Sequence, residues 1–339
     1  MKKKGILIVN LGTPDSPSVP DVRKYLREFL MDGRVIDIPF LSRWMLVNLI
    51  IAPFRAPKSA KVYEELWDER GSPLLYYGED VVKALKEELP NEYEVELAMR
   101  YQSPSIENGL QALKSKCVSE ILVLPLFPQY ASATTGSVVQ KVNDIVNTWQ
   151  VIPSIKFVNQ FLEEESFMDA LTIVAKKYVE EEKYDHFLFS YHGLPERQIH
   201  KASVDGYCKL NDKCCSTFHK KNQYCYRAQC FETSRLLASR LGIEEENYTV
   251  CFQSRLGKDP WIQPYADDLL KELPKQGKKR VLAFSPSFVA DCLETTIEVG
   301  EEFKEEFIDA GGEKWDLVES LNNHPLWINC LKEIILKNT

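Results

Sequence analysis

No apolar run in this chain is long enough to cross a membrane. The nearest approach, Trp44-Met45-Leu46-Val47-Asn48-Leu49-Ile50-Ile51-Ala52, falls far short of the ~20 residues a spanning helix needs. It reads as a core helix or as an exposed lip for a greasy ligand or a bilayer surface, and composition favours core. A secretory signal is not expected either. Basic Met1-Lys2-Lys3-Lys4 runs straight into Gly5-Ile6-Leu7-Ile8-Val9, too short for a signal h-region and without a small-residue cleavage site behind it. There is no basic excess: 42 Lys and Arg face 50 Asp and Glu, for a net charge of −8. Without a field to neutralise phosphates, a nucleic-acid partner is not expected. No G-x-G-x-x-G follows the first strand and no Walker A motif occurs, so nucleotide binding is unsupported. Nine cysteines without a secretory signal point to a reducing compartment, where paired disulfides are rare. The expected location is cytoplasmic, with a peripheral membrane contact through 38–54 left open.

What is present is a long alternation of strands and helices. The 339 residues, 44% of them hydrophobic, suffice for two domains or one bilobed body. Strands are expected at 5–11, 93–101, 119–126, 186–191, 248–253 and 280–284. Helices are expected at 20–31, 59–68, 78–89, 105–115, 137–147, 166–181, 230–241, 267–273, 291–308 and 325–337. The apolar segment 38–54 lies between Pro39 and Pro53, and 198–225 is polar, cysteine-rich and assigned little regular structure. This order predicts an α/β fold with parallel sheets. Strand 5–11 with its Gly-x-Pro loop resembles 186–191 with Gly193-Leu194-Pro195, and 119–126 resembles 280–284. The natural reading is two Rossmann-like lobes related by internal duplication, 1–165 and 166–339, facing each other across a cleft. The first carries the apolar lip at 38–54, and the second a cysteine-rich insert at 198–230.

Three constellations carry chemistry. In Phe187-Leu188-Phe189-Ser190-Tyr191-His192-Gly193-Leu194-Pro195-Glu196 a buried strand ends in a polar triplet and a turn. Ligand chemistry in open α/β sheets sits outside the carboxyl ends of the strands, which is where His192 falls. Taken alone, the stretch also suits an ordinary hydrogen-bonded loop histidine. The second constellation runs from Asp291 to Glu302. On a helix Glu294, Glu298 and Glu302 stack on one face. For Glu301, Glu302, Glu305 and Glu306 a solvated acidic face is the simpler reading. Glu294 follows a buried strand directly, and a file of carboxylates behind it could relay protons or pass a hydrated divalent cation. The third is the thiol set Cys208, Cys214, Cys215 and Cys225, with Cys230 set aside at the start of the next helix. Four thiolates suit an iron–sulfur cluster or a structural zinc, and spacing does not separate the two.

Together these residues resemble a family. Asn10-Leu11-Gly12-Thr13-Pro14, Gly71-Ser72-Pro73-Leu74, Met99-Arg100-Tyr101, Pro128-Gln129-Tyr130 and Thr134-Thr135-Gly136-Ser137 come first. Ser190-Tyr191-His192-Gly193-Leu194-Pro195, Phe252-Gln253-Ser254-Arg255, Pro260-Trp261 and Asp291-Cys292-Leu293-Glu294-Thr295 follow in the same order. The chain resembles ferrochelatase, which inserts ferrous iron into a porphyrin to make haem. The resemblance implies catalytic roles and contact with the substrate iron for His192 and Glu294. It also implies an acidic path through Glu298 and Glu302. Arg55, Tyr63, Ser72, Arg100, Tyr101 and Trp261 match porphyrin-pocket and propionate contacts, and 38–54 matches the active-site lip. Animal-type members hold a [2Fe–2S] cluster with a cysteine in the loop that here reads Tyr130-Ala131-Ser132-Ala133 and three more in a C-terminal extension. Here Ser132 and the lone Cys330 stand instead. The insert resembles the internal cysteine set of some bacterial members, which implies [2Fe–2S] on Cys208, Cys214, Cys215 and Cys225.

The expected reaction is insertion of Fe²⁺ into protoporphyrin IX, the last step of haem biosynthesis. Two N–H protons leave as the metal enters, with a neutral imidazole as a suitable acceptor. Coproporphyrin or another tetrapyrrole chelation, with cobalt included, is the competing enzyme reading. A porphyrin- or haem-binding module with a redox-sensing cluster is the competing non-enzyme reading.

Overall fold

The structure, a computed structural model, describes residues 3–257 and 259–339. The chain forms two compact bodies. One comprises Met1–Phe127, Ser132–Asn159 and Asn322–Thr339, and the other Pro128–Ala131 and Gln160–Leu321. The C-terminal segment therefore does not belong with the second lobe, as the division at 165/166 expected. Its helix Pro325–Asn338 turns Trp327, Ile328, Leu331, Ile334 and Ile335 inward. Lys332 pairs with Glu88 and Asn323 donates to Asp80, both on the helix Pro73–Glu88 of the first body.

The first body carries a four-stranded parallel sheet of β1 (Lys4–Gly12), β2 (Tyr93–Tyr101), β3 (Glu120–Pro125) and β4 (Ser154–Phe157), in the order β2-β1-β3-β4. The second carries β5 (His186–His192), β6 (Tyr248–Gln253), β7 (Arg280–Phe284) and β8 (Lys314–Leu317), in the order β6-β5-β7-β8. The two orders are the same, so β1 corresponds to β5 and β3 to β7, the two pairs matched by the internal likeness in the sequence. In each sheet the chain leaves the first strand to one side and returns to the other. That reversal opens a crevice at the carboxyl ends of β1 and β3, and of β5 and β7.

The central strands are apolar because helices cover both faces of a parallel sheet. Ile6, Leu7, Ile8 and Val9 are all fully buried, as are Leu188 and Phe189. In the second body Leu188, Val281, Ala283 and Phe307 share one core with Trp315. Phe189 stacks on Phe284 with ring centroids 4.6 Å apart. Burying each such Leu, Val or Phe contributes roughly 1.5–3 kcal/mol.

Three segments depart from the sequence reading. Pro53 does not end the apolar segment. Residues Leu46–Ile51 form a π-helical turn that leads into the helix Ala52–Leu66. Ala52 donates to Val47 five residues back, and Pro53 stands in the first turn of the following helix, where proline is tolerated, with Pro57 inside it. The segment 198–225 is more regular than expected, with the helix Glu196–Ala202 and short turns at Val204–Gly206 and Asp212–Cys215. The third is the expected helix 291–308, which is a π-helix over Glu294–Glu302 and an α-helix only over Phe303–Asp309.

Candidate active site

The second body places His192 at the last residue of β5, beside the crevice opened by the β5/β7 reversal. The imidazole is half-buried. Its Nδ1 lies 2.7 Å from the Gly193 carbonyl oxygen. A carbonyl only accepts, so Nδ1–H is the donor, and in the neutral ring Nε2 keeps its lone pair. Local packing fixes this arrangement. Gly193 N–H donates to the Gln253 carbonyl at 2.8 Å. A Cβ at Gly193 would stand 2.9 Å from that carbonyl oxygen and 3.1 Å from Trp261 Cε3, so only glycine fits without displacement. Glu196 N–H donates to Pro260 O and Ile262 N–H to Leu194 O, both at 3.0 Å. These bonds hold the half-buried Trp261 with its ring centroid 6.5 Å from that of His192. From the far side Tyr226 donates its hydroxyl to the His192 carbonyl at 2.9 Å.

The carboxylates follow β7. Glu294 and Glu298 are half-buried, whereas Glu301, Glu302, Glu305 and Glu306 are exposed. Glu298 is held by three hydrogen bonds. The Ser254 hydroxyl reaches Oε1 at 2.9 Å and Oε2 at 2.7 Å, and Gln253 Nε2 donates to Oε2 at 2.9 Å. Gln253 is itself oriented by the Ser190 hydroxyl, 2.5 Å from its Oε1. Burial pushes the Glu298 carboxyl up from its ordinary value, and the Glu294 charge adds to this. The Ser254 bond and the His192 charge pull the other way without reversing the shift. Cys292 is buried and lies beside Glu294. Burial first, then the Glu294 charge, keeps its thiol far above the usual range.

In the first body the predicted pocket residues divide into two kinds. Arg55 is exposed and Tyr63 half-buried, the latter edge-on to Tyr25 at 6.2 Å. Ser72 and Tyr101 are closed to solvent. Ser72 donates to Thr13 at 2.9 Å, and Tyr101 donates to Asp32 at 3.0 Å. Both hydroxyls are thus engaged inside the first body. Arg100 pairs with Asp32 at 2.6 Å, and Ser137 donates to the same carboxylate oxygen at 2.5 Å. Burial alone would raise the Asp32 carboxyl. The bonds from Ser137, the Arg34 backbone and Tyr101, with the Arg100 charge, hold it below the ordinary value. The lip is more open than a core helix. Phe40, Leu41 and Phe54 are 64%, 66% and 74% exposed.

All four thiols of the insert are buried and unbridged. Cys214 and Cys215 have sulfurs 3.8 Å apart. Cys225 donates toward both Cys208 and Cys215 and is itself pushed far up by doing so. Those bonds bring Cys208 down to about 5 and Cys215 to about 6, the latter helped by the Arg227 guanidinium 3.1 Å from its sulfur. Two low-pKa thiols, two further thiols and one buried cation suit an anionic metal–thiolate centre. Among the described residues no three His, Cys, Asp or Glu side chains stand at ligating geometry around a single ion. Cys230, set aside from the set, is fully buried in the helix Tyr226–Leu241.

Gln253, Ser254, Tyr226 and Ser190 acquire parts in the site that the sequence reading did not assign. Gln253, Ser254 and Ser190 stood inside stretches already singled out, but their partners are remote in sequence.

Comparison with known proteins bears on family and fold. A relative from Legionella pneumophila (strain Lens), named ferrochelatase, is 46% identical over 333 residues, covering 98% of this chain and 98% of its own. A ferrochelatase from Coxiella burnetii (strain Dugway 5J108-111) is 44% identical over 337 residues, covering 99% of this chain and 94% of its own. Among solved structures, SirB from Bacillus subtilis with Fe³⁺ aligns with a TM-score of 0.53 at 13% identity, covering 99% of this chain and 95% of its own. The sirohydrochlorin chelatase SirB in complex with cobalt aligns with a TM-score of 0.52 at 13% identity, covering 99% and 94%. At that identity the likeness concerns the fold. The ferrochelatase family model matches residues 3–339, and the chain belongs to the ferrochelatase family.

Proposed function

We propose that this chain inserts Fe²⁺ into protoporphyrin IX, forming protohaem and releasing two protons. The observation that carries the reading is the His192 imidazole. Its Nδ1–H is engaged by the Gly193 carbonyl at 2.7 Å, which leaves Nε2 to take a proton. The porphyrin gives up two N–H protons and the ferrous ion supplies the two positive charges they carried, so charge balances. His192 Nε2 accepts a pyrrole proton. Glu294 receives protons or touches the entering iron, and Glu298 and the exposed Glu302 lead outward as the acidic path. Arg55, Tyr63, Arg100 and Trp261 are the proposed porphyrin contacts. Ser72 and Tyr101 complete that proposed set. The exposed lip around Phe40, Leu41 and Phe54 favours the less carboxylated protoporphyrin over coproporphyrin.

Cys208, Cys214, Cys215 and Cys225 are the proposed ligands of a [2Fe–2S] cluster, with zinc the alternative. Such a cluster would supply one-electron redox chemistry, and no step of insertion is assigned to it. The proposed location is the cytoplasm, with the lip as the surface for any peripheral bilayer contact. Among the described residues no helix is long and apolar enough to cross a membrane.

The test is an anaerobic assay with ferrous iron and either porphyrin, following loss of the free-porphyrin spectrum. Catalytic turnover with protoporphyrin exceeding that with coproporphyrin supports the reading. Stoichiometric binding without turnover would replace it with a porphyrin-binding module.

A further inference from the structure

Ser254 has φ +64°, the left-handed region that a non-glycine residue adopts only when its surroundings hold it there. A glycine would take that conformation freely. The feature that a glycine would lose is the hydroxyl, and that hydroxyl lies on both oxygens of Glu298 at 2.9 and 2.7 Å. The preceding residue acts on the same carboxylate. Gln253 is buried, and Ser190 on β5 fixes which way its amide faces, because a hydroxyl proton on Oε1 leaves Nε2 to point at Glu298. The Gln253 backbone carbonyl meanwhile accepts from Gly193 N–H, next to His192. One dipeptide thus touches the histidine turn with its backbone and the carboxylate with its side chains.

We propose that Gln253 and Ser254 are positioning residues for metal insertion, holding the Glu298 carboxylate in one orientation against the histidine turn. This rests on the reading that Glu298 takes part in the reaction. Among the described residues the hydrogen bonds to the Glu298 carboxylate come from Gln253 and Ser254, both outside its own π-helical segment Glu294–Glu302. The role of the strained serine is to supply a donor at a place where backbone geometry alone would select glycine.

The test is a double-mutant cycle on the purified full chain. Ser254→Gly removes the hydroxyl and relieves the backbone, so the melting temperature should stay level or rise. Its kcat should fall on the order of 10²-fold, as for a reacting group freed from its position, with the porphyrin KM unchanged. Glu298→Gln should give a similar loss. Ser254→Gly added to Glu298→Gln should cost almost nothing further, because both changes remove the same contribution. Ser254→Asn, which tolerates the left-handed region and keeps a donor, should recover part of kcat. If Glu298→Gln slows the enzyme and Ser254→Gly does not, the inference is wrong while the reading of Glu298 stands. Equal losses for Ser254→Gly in both backgrounds would also overturn it, because the serine would then act elsewhere. A Glu298→Gln enzyme with full activity would overturn the reading and the inference together.

Discussion

Replacing Gly193 by alanine adds one methyl group at the point where the histidine turn meets β6. The new Cβ would sit 2.9 Å from the Gln253 carbonyl oxygen, about 0.5 Å inside the 3.4 Å at which ordinary contact begins. That carbonyl cannot retreat, because it belongs to a strand paired with β5 through His192 and Gln253. On the other side the methyl meets Trp261 Cε3 at 3.1 Å. The turn must therefore move away from β6, which stretches the Gly193 N–H bond and carries the carbonyl that fixes Nδ1. Overpacking of this size costs about 1–3 kcal/mol, a melting shift of roughly 2–4 °C per kcal/mol for a body of this size. The effect on turnover should be larger, about 10²-fold in kcat, since the base is displaced relative to the pyrrole nitrogen. Gly277→Ala is the matched control. Gly277 has φ +82° with nothing within 4 Å of its Cβ position, so alanine there costs roughly 1–2 kcal/mol of backbone strain far from the histidine in sequence. Anaerobic initial rates and thermal melts on both variants decide the matter. Wild-type kcat in Gly193→Ala, or equal losses of kcat in both, would refute the argument that the turn sets the imidazole.

Further outcomes are expected. Tyr226→Phe removes the donor to the His192 carbonyl and should lower stability by about 1 kcal/mol, with a several-fold loss of kcat read in the same assay. Loss in Cys225→Ala of bound iron, acid-labile sulfide and visible charge-transfer absorption together would fit the cluster assignment, while retention of all three would exclude Cys225 as a ligand. His186 is buried with Nε2 on Thr249, and burial with the Lys278 charge brings it down from 6.5 to about 4. Its unfolded form binds the extra proton, so its contribution is present above pH 6.5 and is lost as pH falls toward 4. His186→Asn should flatten the stability profile in that window, measured by urea unfolding at stepped pH. Asp32 is held low, so its stabilisation is present above the ordinary carboxylate range and disappears only below it. Asp32→Asn should therefore destabilise the first body at neutral pH, by circular dichroism melts.

The sheet was legible where one residue pattern had one cause. β6 and β7 run over the residues expected, since Val250, Cys251, Phe252 and the stretch Val281–Phe284 are buried on both faces. β4 and β8 were not read, because each has four residues of mixed polarity, with Lys156 or Lys314 among them. An edge strand needs little apolar surface, so its signal is weak. Pro53 marked no boundary in the fold, because it stands in the first turn of the helix Ala52–Leu66, where proline is tolerated. The place of His192 at the carboxyl end of an apolar strand was legible, since β5 ends on it. The parts of Gln253, Ser254 and Tyr226 were not, because their partners Glu298 and His192 lie on other elements and no local pattern encodes the pairing. For Ser72 and Tyr101 the sequence did not show that both are buried, because that burial depends on remote partners, Thr13 and Asp32.

The most direct measurement is single-turnover chelation with wild type and His192→Ala, anaerobically, with ferrous iron and protoporphyrin IX. Porphyrin binding is followed by fluorescence, and folding by circular dichroism. The account predicts that the variant folds and binds porphyrin while haem formation nearly vanishes. A folded His192→Ala protein that still forms haem at a substantial fraction of the wild-type rate would contradict it.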